Sequence, residues 1–394
     1  MRDMAQLTSS SASTAAAEQE ETQLECTVLT ATAEAEHNGA TEPSTLREAR
    51  SQPDGELWLA AAAEEMGSLE QHHTWDVLPT PPGVRPLPVR WVFRRKPEPS
   101  EPDGIRRKAR LVAKGFAQRP GVDFSDVFAP VCKQSTFHAL LAITAAHDLE
   151  LQQLDIKTAF LNGELAEEVW VQQPEGFQLG GPQFSCRLRR SLYGLKQAPR
   201  AWHAKLRAVL LDLGFQQCEA DPALFHRPGE CYVLTYVDDM LVAGQHKQHV
   251  HAAKQALLQR FEGRDMGEAW CFLGQHIQRN RAHRTLTVHQ QPHVRALLHR
   301  FNMEQCKPNT IPISSSAQLS SNTEQEPLPD SSTYSALVGS LLYLSTCTRP
   351  DIAFATGLLS RYMARPTQQH LTAAKSVLRY LAGTAGHGLY FAPA

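Results

Sequence analysis

One short stretch near the middle of the chain constrains the fold more than any other. In Tyr232–Ala243, two arms of β-branched, aromatic and aliphatic residues flank a pair of acids, Asp238 and Asp239. Such arms favour strands, and two Asp between them favour a tight turn, so the stretch predicts a β-hairpin. Asp is common in turns because its side chain bonds the local backbone. The acidic pair alone therefore does not indicate a function.

Length and composition predict a globular protein of two or three domains. The 394 residues exceed one compact core, and 42% hydrophobic with 20% charged residues suits a folded chain. No apolar run approaches the roughly 18 residues of a membrane span, and no secretory signal pattern is present. The eight cysteines are scattered without zinc-finger spacing. We expect an intracellular protein, in the cytoplasm, the nucleus or both, with no membrane partner.

Two segments have compositions that disfavour a packed core. Residues 1–52 are acidic and rich in Ala, Ser and Thr, and such a segment buries too little apolar surface to offset the entropy of ordering. Residues 314–332 are rich in Ser, Pro and other polar residues, which is typical of a linker. We expect the first segment to be disordered and the second to be a polar linker.

Basic residues are concentrated in two segments although the net charge is only −2. Residues 85–119 contain eleven basic and three acidic residues, and residues 187–211 contain seven basic and no acidic ones. Segregated positive charge is the footprint of proteins that bind phosphate backbones. A solvated surface is the alternative. Part of the first segment, Arg90–Arg94 and Ala109–Lys114, also has the pattern of two hairpin strands.

A second acid lies in an apolar strand pattern upstream of the acidic pair. In Leu151–Ile156, Leu154 and Ile156 share one face, so Asp155 points to the other. A helix from about Ser191 and then the hairpin follow this strand, which predicts a β-α-β-β antiparallel sheet with helices on one face. If the Asp155 strand lies beside the hairpin, three carboxylates converge at one edge. Solvent exposure at a sheet edge is the simpler explanation for Asp155 alone.

Three converging carboxylates favour a site for hard divalent cations. They repel one another and are tolerated mainly where they bind metal, and their oxygen atoms suit Mg²⁺ or Mn²⁺. Two such ions about 3.5–4 Å apart stabilise the attacking and leaving oxygens of in-line phosphoryl transfer. This chemistry requires no protein nucleophile.

The chain resembles the reverse transcriptase region of copia-type LTR retrotransposon polyproteins across roughly residues 57–391. Tyr236-Val-Asp-Asp239 alone is a weak signal, but it occurs within an ordered series of family blocks. The other blocks are Thr74-Trp75, Arg90–Phe93, Lys108–Phe116, Phe128–Val131, Leu154–Gly163, Gln173–Phe177, Ser191–Trp202, Phe272–Gly274, Thr348–Ile352 and Leu378–Thr384.

The resemblance implies an α+β right-hand polymerase fold and an RNA-directed DNA polymerase activity. Its fingers and palm would span residues 53–313, and a helical thumb or connection segment would span 333–394. Its partners would be an RNA or DNA template-primer and dNTPs, and its cofactors two Mg²⁺ or Mn²⁺ ions. The implied metal-binding and catalytic residues are Asp155, Asp238 and Asp239. The implied nucleotide-binding residues are Lys108, Arg110, Phe160 and Gln197, with Phe160 blocking a ribose 2′-hydroxyl, and the implied nucleic-acid-binding residues are Lys114, Lys196 and Arg200.

Some features depart from the family pattern. Arg264 stands where the family more often has Lys, and an always-charged Arg is a poorer proton donor. The sequence shows no protease, integrase or RNase H segment, so we expect a fragment or a decayed insertion. A catalytically silent remnant, at most binding nucleic acid, is the alternative function. A divalent-metal nuclease or phosphatase is disfavoured by the strands at Arg90–Lys114 and by Phe160.

Overall fold

A computed structural model describes residues 42–98, 101–314, 319 and 326–393, which form two compact units that divide at residues 269 and 270. The helices are α1 (Leu46–Ser51), α2 (Gly55–Gln71), α3 (Gln134–His147), α4 (Ala198–Asp212), α5 (Lys247–Leu258), α6 (Gln291–Arg300), α7 (Ser332–Cys347), α8 (Ala353–Ser360) and α9 (Gln368–Gly383). The strands are β1 (Trp75–Pro79), β2 (Val89–Pro97), β3 (Ile105–Ala113), β4 (Glu150–Ile156), β5 (Trp170–Val171), β6 (Phe184–Leu188), β7 (Gln216–Gln217), β8 (Leu224–Arg227), β9 (Cys231–Tyr236), β10 (Asp239–Gly244), β11 (Gly263–Glu268), β12 (Cys271–Phe272), β13 (Gln275–Asn280), β14 (Thr285–His289) and β15 (Gly388–Phe391).

A six-stranded antiparallel sheet is the centre of the first unit, with the strand order β11-β4-β10-β9-β8-β7. The hairpin predicted from Tyr232–Ala243 is β9 and β10, and β4 lies directly beside β10. The predicted order of strand, helix and hairpin is therefore confirmed. Because β4 and β10 run antiparallel with Asp155 opposite Asp239, both acids lie at the same end of the sheet.

Both faces of the central strand β10 are covered by helices. Leu154 and Ile156 of β4 join Met240 and Val242 of β10 in one core with α4 and α5. Leu241, which points to the opposite face, is also fully buried, and α3 contacts β10. The sequence predicted helices on one face only, and a continuously apolar strand such as β10 is the signal for cover on both.

The β2–β3 hairpin packs on helix α2 in the same unit. Alternation places Ala109, Leu111 and Ala113 of β3 in a core with Trp58 of α2, and leaves Lys108 and Arg110 on the other face. Sheet β1-β6-β5 adds to this core through Leu188 and other residues.

The prediction of disorder for residues 1–52 is wrong for residues 42–52; residues 1–41 lie outside the described ranges. Helix α1 begins with Thr45 as its N-cap, whose Oγ1 accepts a hydrogen bond from the Glu48 backbone N–H at 3.1 Å, while the Glu48 side chain accepts one from the Ser44 N–H at 2.8 Å. Leu46 and Ala49 are buried against the core. The Thr-x-x-Glu signal was present in the sequence, although the surrounding composition masked it.

The second unit combines a four-stranded sheet, β12-β13-β14-β15, with helices α6 to α9. Buried apolar residues of these helices form its core, which includes Leu298 of α6, Leu341 of α7 and Val377 of α9. The predicted boundaries at residues 313 and 333 stay predictions, and most of the expected linker lies outside the described ranges. Among the helices of the described segments, none has the length and apolarity needed to cross a membrane.

Candidate active site

The three predicted acids meet at the end of strands β4 and β10. Asp239 is the first residue of β10 and lies opposite both Tyr236 of β9 and Asp155 of β4. The tight turn therefore consists of Val237 and Asp238, whereas the sequence had suggested the two Asp. The Asp238 carbonyl accepts a hydrogen bond from the Ile156 N–H at 2.8 Å, so the turn itself is joined to the Asp155 strand.

Backbone strain is concentrated in this turn. Val237 has φ of +54°, which is uncommon for any residue with a side chain and especially costly for a β-branched one. The strained carbonyl of Val237 accepts a hydrogen bond of 2.6 Å from the indole N–H of Trp202, which is 2% exposed. Because Trp202 belongs to the α4 core, the core holds the turn in a conformation that its own sequence disfavours.

The acids at this edge affect one another electrostatically. Burial raises the pKa of Asp238, and the negative charge of Asp155 raises it further, while the more distant Arg110 and Lys108 lower it. Burial, followed by the charges of Asp238 and Asp155, raises the pKa of Asp239 to about 7 despite a hydrogen bond from Gln153. No described Lys or Arg forms an ion pair with any of the three carboxylates. The edge therefore carries uncompensated negative charge.

The donor atoms at this edge suit a divalent cation of the Mg²⁺ class. All are oxygens, and their mutual repulsion is the kind that a bound cation relieves. Gln153 Nε2 donates to Asp239 at 2.8 Å, which leaves the buried Gln153 Oε1 without a partner in the described structure. The side chains of the described residues are not already arranged as a cluster of three metal ligands. Binding by Asp155, Asp238 and Asp239 would therefore require side-chain rotation.

Two cations of β3 face this site without a counterion. Lys108 and Arg110 form no ion pair with a carboxylate among the described residues. Burial, followed by the positive charges of Arg110, Lys96 and Arg106, lowers the pKa of Lys108 to about 8. Four other arginines of β2 and β3 are paired with carboxylates: Arg94 with Glu42, Arg95 and Arg107 with Asp54, and Arg106 with Glu64.

An aromatic pair connects Arg110 with the end of the Asp155 strand. The guanidinium of Arg110 lies over the ring of Tyr193, 4.5 Å from its centroid. The Tyr193 ring in turn meets Phe160 edge to face, with centroids 5.1 Å apart. Phe160, partly exposed, is in a short 3-10 helix just after β4. The structure thus brings the predicted Phe160 and Arg110 to the same surface as the acids.

The remaining predicted residues have other contacts. Gln197 is 3% exposed and uses its amide internally, accepting from Gln118 at 2.9 Å and donating to the Asp123 carbonyl at 3.1 Å. Lys196 lies over the Phe124 ring at 5.0 Å. The structure therefore places Gln197 as a support of the loop around residues 118–123, and its predicted contact with a nucleotide stays a prediction.

The other two predicted nucleic-acid-binding residues lie on the same unit. Arg200 forms an exposed ion pair of 3.4 Å with Asp126, and an exposed pair of this kind exchanges readily for a phosphate. Lys114 follows β3 and is partly exposed, without an ion-pair partner in the described ranges. Arg264, which departs from the family pattern, lies on β11 directly opposite Asp155.

Comparison with known proteins identifies the family. A family model described as reverse transcriptase (RNA-dependent DNA polymerase) matches residues 72–315, which is more than half of the chain. The chain belongs to the reverse transcriptase family. The model covers every residue of the site described above, from the basic β3 strand to the acidic hairpin.

Several relatives of this chain are transposon proteins. It is 41% identical over 360 residues to the retrovirus-related Pol polyprotein from transposon TNT 1-94 of Nicotiana tabacum, covering 89% of this chain and 27% of the relative. It is also 41% identical over 340 residues to the Pol polyprotein from transposon RE1 of Arabidopsis thaliana, covering 85% of this chain and 23% of the relative. The chain thus spans about a quarter of these relatives. The resemblance to retrotransposon polyproteins is confirmed.

A shorter yeast relative matches most of its own length. The putative transposon Ty5-1 protein of Saccharomyces cerevisiae is 33% identical over 232 residues, which covers 58% of this chain and 75% of the relative.

Sequence reasoning did not single out three residues that lie at or near this candidate site. Gln153 was detectable, because alternation along β4 puts it on the same face as Asp155. Tyr193 belongs to the family block Ser191–Trp202, but nothing in the sequence indicates its contacts with Arg110 and Phe160. Glu65 of α2 is 9% exposed and accepts a hydrogen bond from the Leu111 N–H at 3.1 Å. Burial raises the pKa of Glu65, and a buried Glu within an apolar helix was the available clue.

Proposed function

We propose that this chain is the polymerase core of an RNA-directed DNA polymerase, which adds dNTPs to a primer 3′-hydroxyl on an RNA or DNA template. The observation that carries the proposal is the register of β4 and β10, which sets Asp155 opposite Asp239 with Asp238 in the adjoining turn. Among the described residues, these acids form no ion pair with a Lys or Arg, and Lys108 and Arg110 form none with a carboxylate. A cation-bound triphosphate supplies both missing charges.

The subdomains of a right-hand polymerase are divided between the two units under this proposal. The six-stranded sheet with α3, α4 and α5 corresponds to the palm, and the β2–β3 hairpin corresponds to the fingers. The helical second unit corresponds to the thumb or connection. Lys114, Lys196 and Arg200 would then contact the nucleic acid backbone, where each loses little by exchanging its present contacts for a phosphate.

The charge of each site residue determines its proposed role. Asp155, Asp238 and Asp239 would hold two Mg²⁺ or Mn²⁺ ions, which lower the pKa of the primer hydroxyl and neutralise charge on the triphosphate. Lys108 and Arg110 would bind the triphosphate, because no carboxylate of the described residues forms an ion pair with them. Phe160 lies where a ring beside the sugar excludes a 2′-hydroxyl.

Primer extension tests the activity with a matched pair of acid-to-amide variants. Wild type, Asp239→Asn and the control Asp212→Asn are assayed on a ribo-homopolymer template with Mg²⁺. Asp212, the last residue of α4, forms an exposed ion pair with Arg260, and losing such a pair costs little stability. We expect Asp239→Asn to lower the extension rate about 10²- to 10³-fold and Asp212→Asn to retain most of it. Extension by all three proteins, or by none, contradicts the proposal.

A silent remnant that only binds nucleic acid is the second candidate, favoured by the unpaired cations. Binding to a primer-template as a function of salt distinguishes it from an active enzyme and from an inert chain. A remnant gives a steep fall of log K with log salt but no extension, whereas a flat dependence rules out phosphate contacts.

A further inference from the structure

We propose that Tyr193 is a positioning residue that fixes Arg110 toward the triphosphate and Phe160 toward the sugar of the incoming nucleotide. The inference deepens the proposed function and rests on it. One ring would thereby couple two properties that are usually assigned to separate residues, nucleotide affinity and discrimination against ribonucleotides.

The ring of Tyr193 contacts both side chains at once. The Arg110 guanidinium lies 4.5 Å from the ring centroid, and Phe160 meets the ring at 5.1 Å with an angle of 70° between the planes. A cation over an aromatic face and an edge-to-face aromatic pair are both attractive contacts. A shift of the ring would therefore disturb both neighbours.

The backbone of Tyr193 is fixed to the strand that carries Arg110. Its carbonyl accepts a hydrogen bond of 2.8 Å from the Ala113 N–H, three positions along β3 from Arg110. The next residue, Gly194, has φ of +86° and approaches so closely that an added Cβ would lie 2.2 Å from the Ala113 carbonyl oxygen. Gly115 meets Gly194 in the same way, with a hypothetical Cβ 2.1 Å from the Gly194 carbonyl oxygen. The backbone that carries the Tyr193 ring is therefore fixed against β3.

An aromatic ring orients Arg110 without consuming its donors. The neighbouring Arg95 and Arg107 are both paired with Asp54, which engages part of their N–H groups. Arg110 has no carboxylate partner within the described ranges. Stacking on Tyr193 restricts its rotamers but leaves its five N–H groups and its charge for an anion. This is the arrangement that a triphosphate-binding arginine requires.

The ring, and not the hydroxyl, carries this role. The Tyr193 hydroxyl has no hydrogen-bond partner among the described residues. Burial raises the pKa of Tyr193 to about 12, with the charges of Asp238, Glu65 and Asp155 adding to the effect against Arg110. The hydroxyl is therefore neutral at physiological pH and does not compete for Arg110 as an anion. Tyr193→Phe should consequently preserve the function, whereas Tyr193→Leu should not.

The test compares wild type, Tyr193→Phe, Tyr193→Leu and the control Tyr390→Leu, an exposed tyrosine of the second unit. Primer extension gives KM and kcat for dTTP and the ratio of dTTP to UTP incorporation. We expect Tyr193→Leu to raise KM about 3- to 30-fold and to reduce the discrimination ratio by a similar factor, with a smaller change in kcat. Tyr193→Phe and Tyr390→Leu should match wild type.

Two results would overturn the inference. One is a normal KM together with normal discrimination in Tyr193→Leu, and the other is a loss in Tyr193→Phe equal to that in Tyr193→Leu. A wild-type protein that does not extend primers contradicts the proposed function instead. In that case equilibrium binding of a fluorescent dTTP tests the positioning role by itself. Weaker binding by Tyr193→Leu than by Tyr193→Phe supports the role, and equal binding contradicts it. Circular dichroism melting identifies any variant that fails to fold.

Discussion

Two carboxylate sites in this protein differ in whether another side chain balances their negative charge. In the second unit, Asp351 forms a two-point ion pair with Arg349 at 3.0 and 2.8 Å and accepts a hydrogen bond from Tyr380 at 2.8 Å. Although burial acts in the opposite direction, these partners hold the pKa of Asp351 below its usual value. At the end of the central sheet, the pKa values of Asp238 and Asp239 are raised.

The difference separates a structural carboxylate from one that is available to a ligand. Arg349 is 1% exposed and its other donors bond Thr384, so the cluster is complete within the protein. The acids on β4 and β10 lack such a partner in the described chain, and folding alone leaves their charge uncompensated. A site that keeps unfavourable charge at the cost of stability is a candidate for cation binding.

The largest expected effect is a pH dependence of stability that comes from Asp239. Because its pKa rises from 3.8 to about 7 on folding, the folded state retains a proton that the unfolded chain releases. Stability without divalent cations should therefore fall by about 2–3 kcal/mol between pH 5 and pH 8. Urea denaturation in EDTA measures this fall, and Asp239→Asn should reduce it. Equal pH dependence in wild type and Asp239→Asn would contradict the expectation, and added Mg²⁺ should restore stability at pH 8.

A matched pair of substitutions tests the comparison directly. Asp351→Asn leaves the buried Arg349 charge without its anion and should destabilise the second unit by about 2 kcal/mol, a reduced value because the Asp351 side chain is 36% exposed. Asp238→Asn removes a repelled charge and should stabilise the first unit by about 1 kcal/mol while abolishing primer extension. Urea denaturation and extension assays measure both variants. If both substitutions stabilised the protein, or both destabilised it, the proposed difference between the two carboxylate sites would be wrong.

The smallest expected effect concerns Lys108. Its pKa of about 8 means that its charge is lost as pH rises from 7 to 9. Affinity for dTTP should fall about fivefold over this range, the equivalent of roughly 1 kcal/mol. Lys108→Arg should abolish the dependence, since arginine stays charged. Fluorescence titration with a labelled dTTP provides the measurement, and a parallel decline in both proteins would assign the titration to another group.

The acidic hairpin and its neighbouring strand could be predicted from the sequence because both depend on local residue patterns. Alternation around Asp155 predicted that Leu154 and Ile156 point into the core, and both are at most 1% exposed. The ordered family blocks predicted the reverse transcriptase family, which the comparisons confirm. These features follow from residues that are close in the chain or from the order of blocks along it.

Contacts between side chains that are distant along the chain could not be predicted from the sequence. Gln197 was predicted to bind nucleotide, yet nothing in its block indicates that Gln118 and Asp123 engage its amide. The stacking of Arg110 on Tyr193 joins residues from separate elements and depends on how β3 meets the loop before α4. Composition was also misleading at Thr45–Glu48, where a short capped helix interrupts a polar segment.

The pairing of β4 with β10 has a consequence for how the chain folds. Gln153 and Asp239, which meet across this pair, are 86 positions apart. Closing a loop of that length costs about 4 kcal/mol of chain entropy, and the approaching acids add electrostatic repulsion. We therefore expect this pair of strands to dock late, after the local hairpins have formed. Enzymatic activity would then report completed folding of the sheet, and a divalent cation would act as a folding aid for its last step.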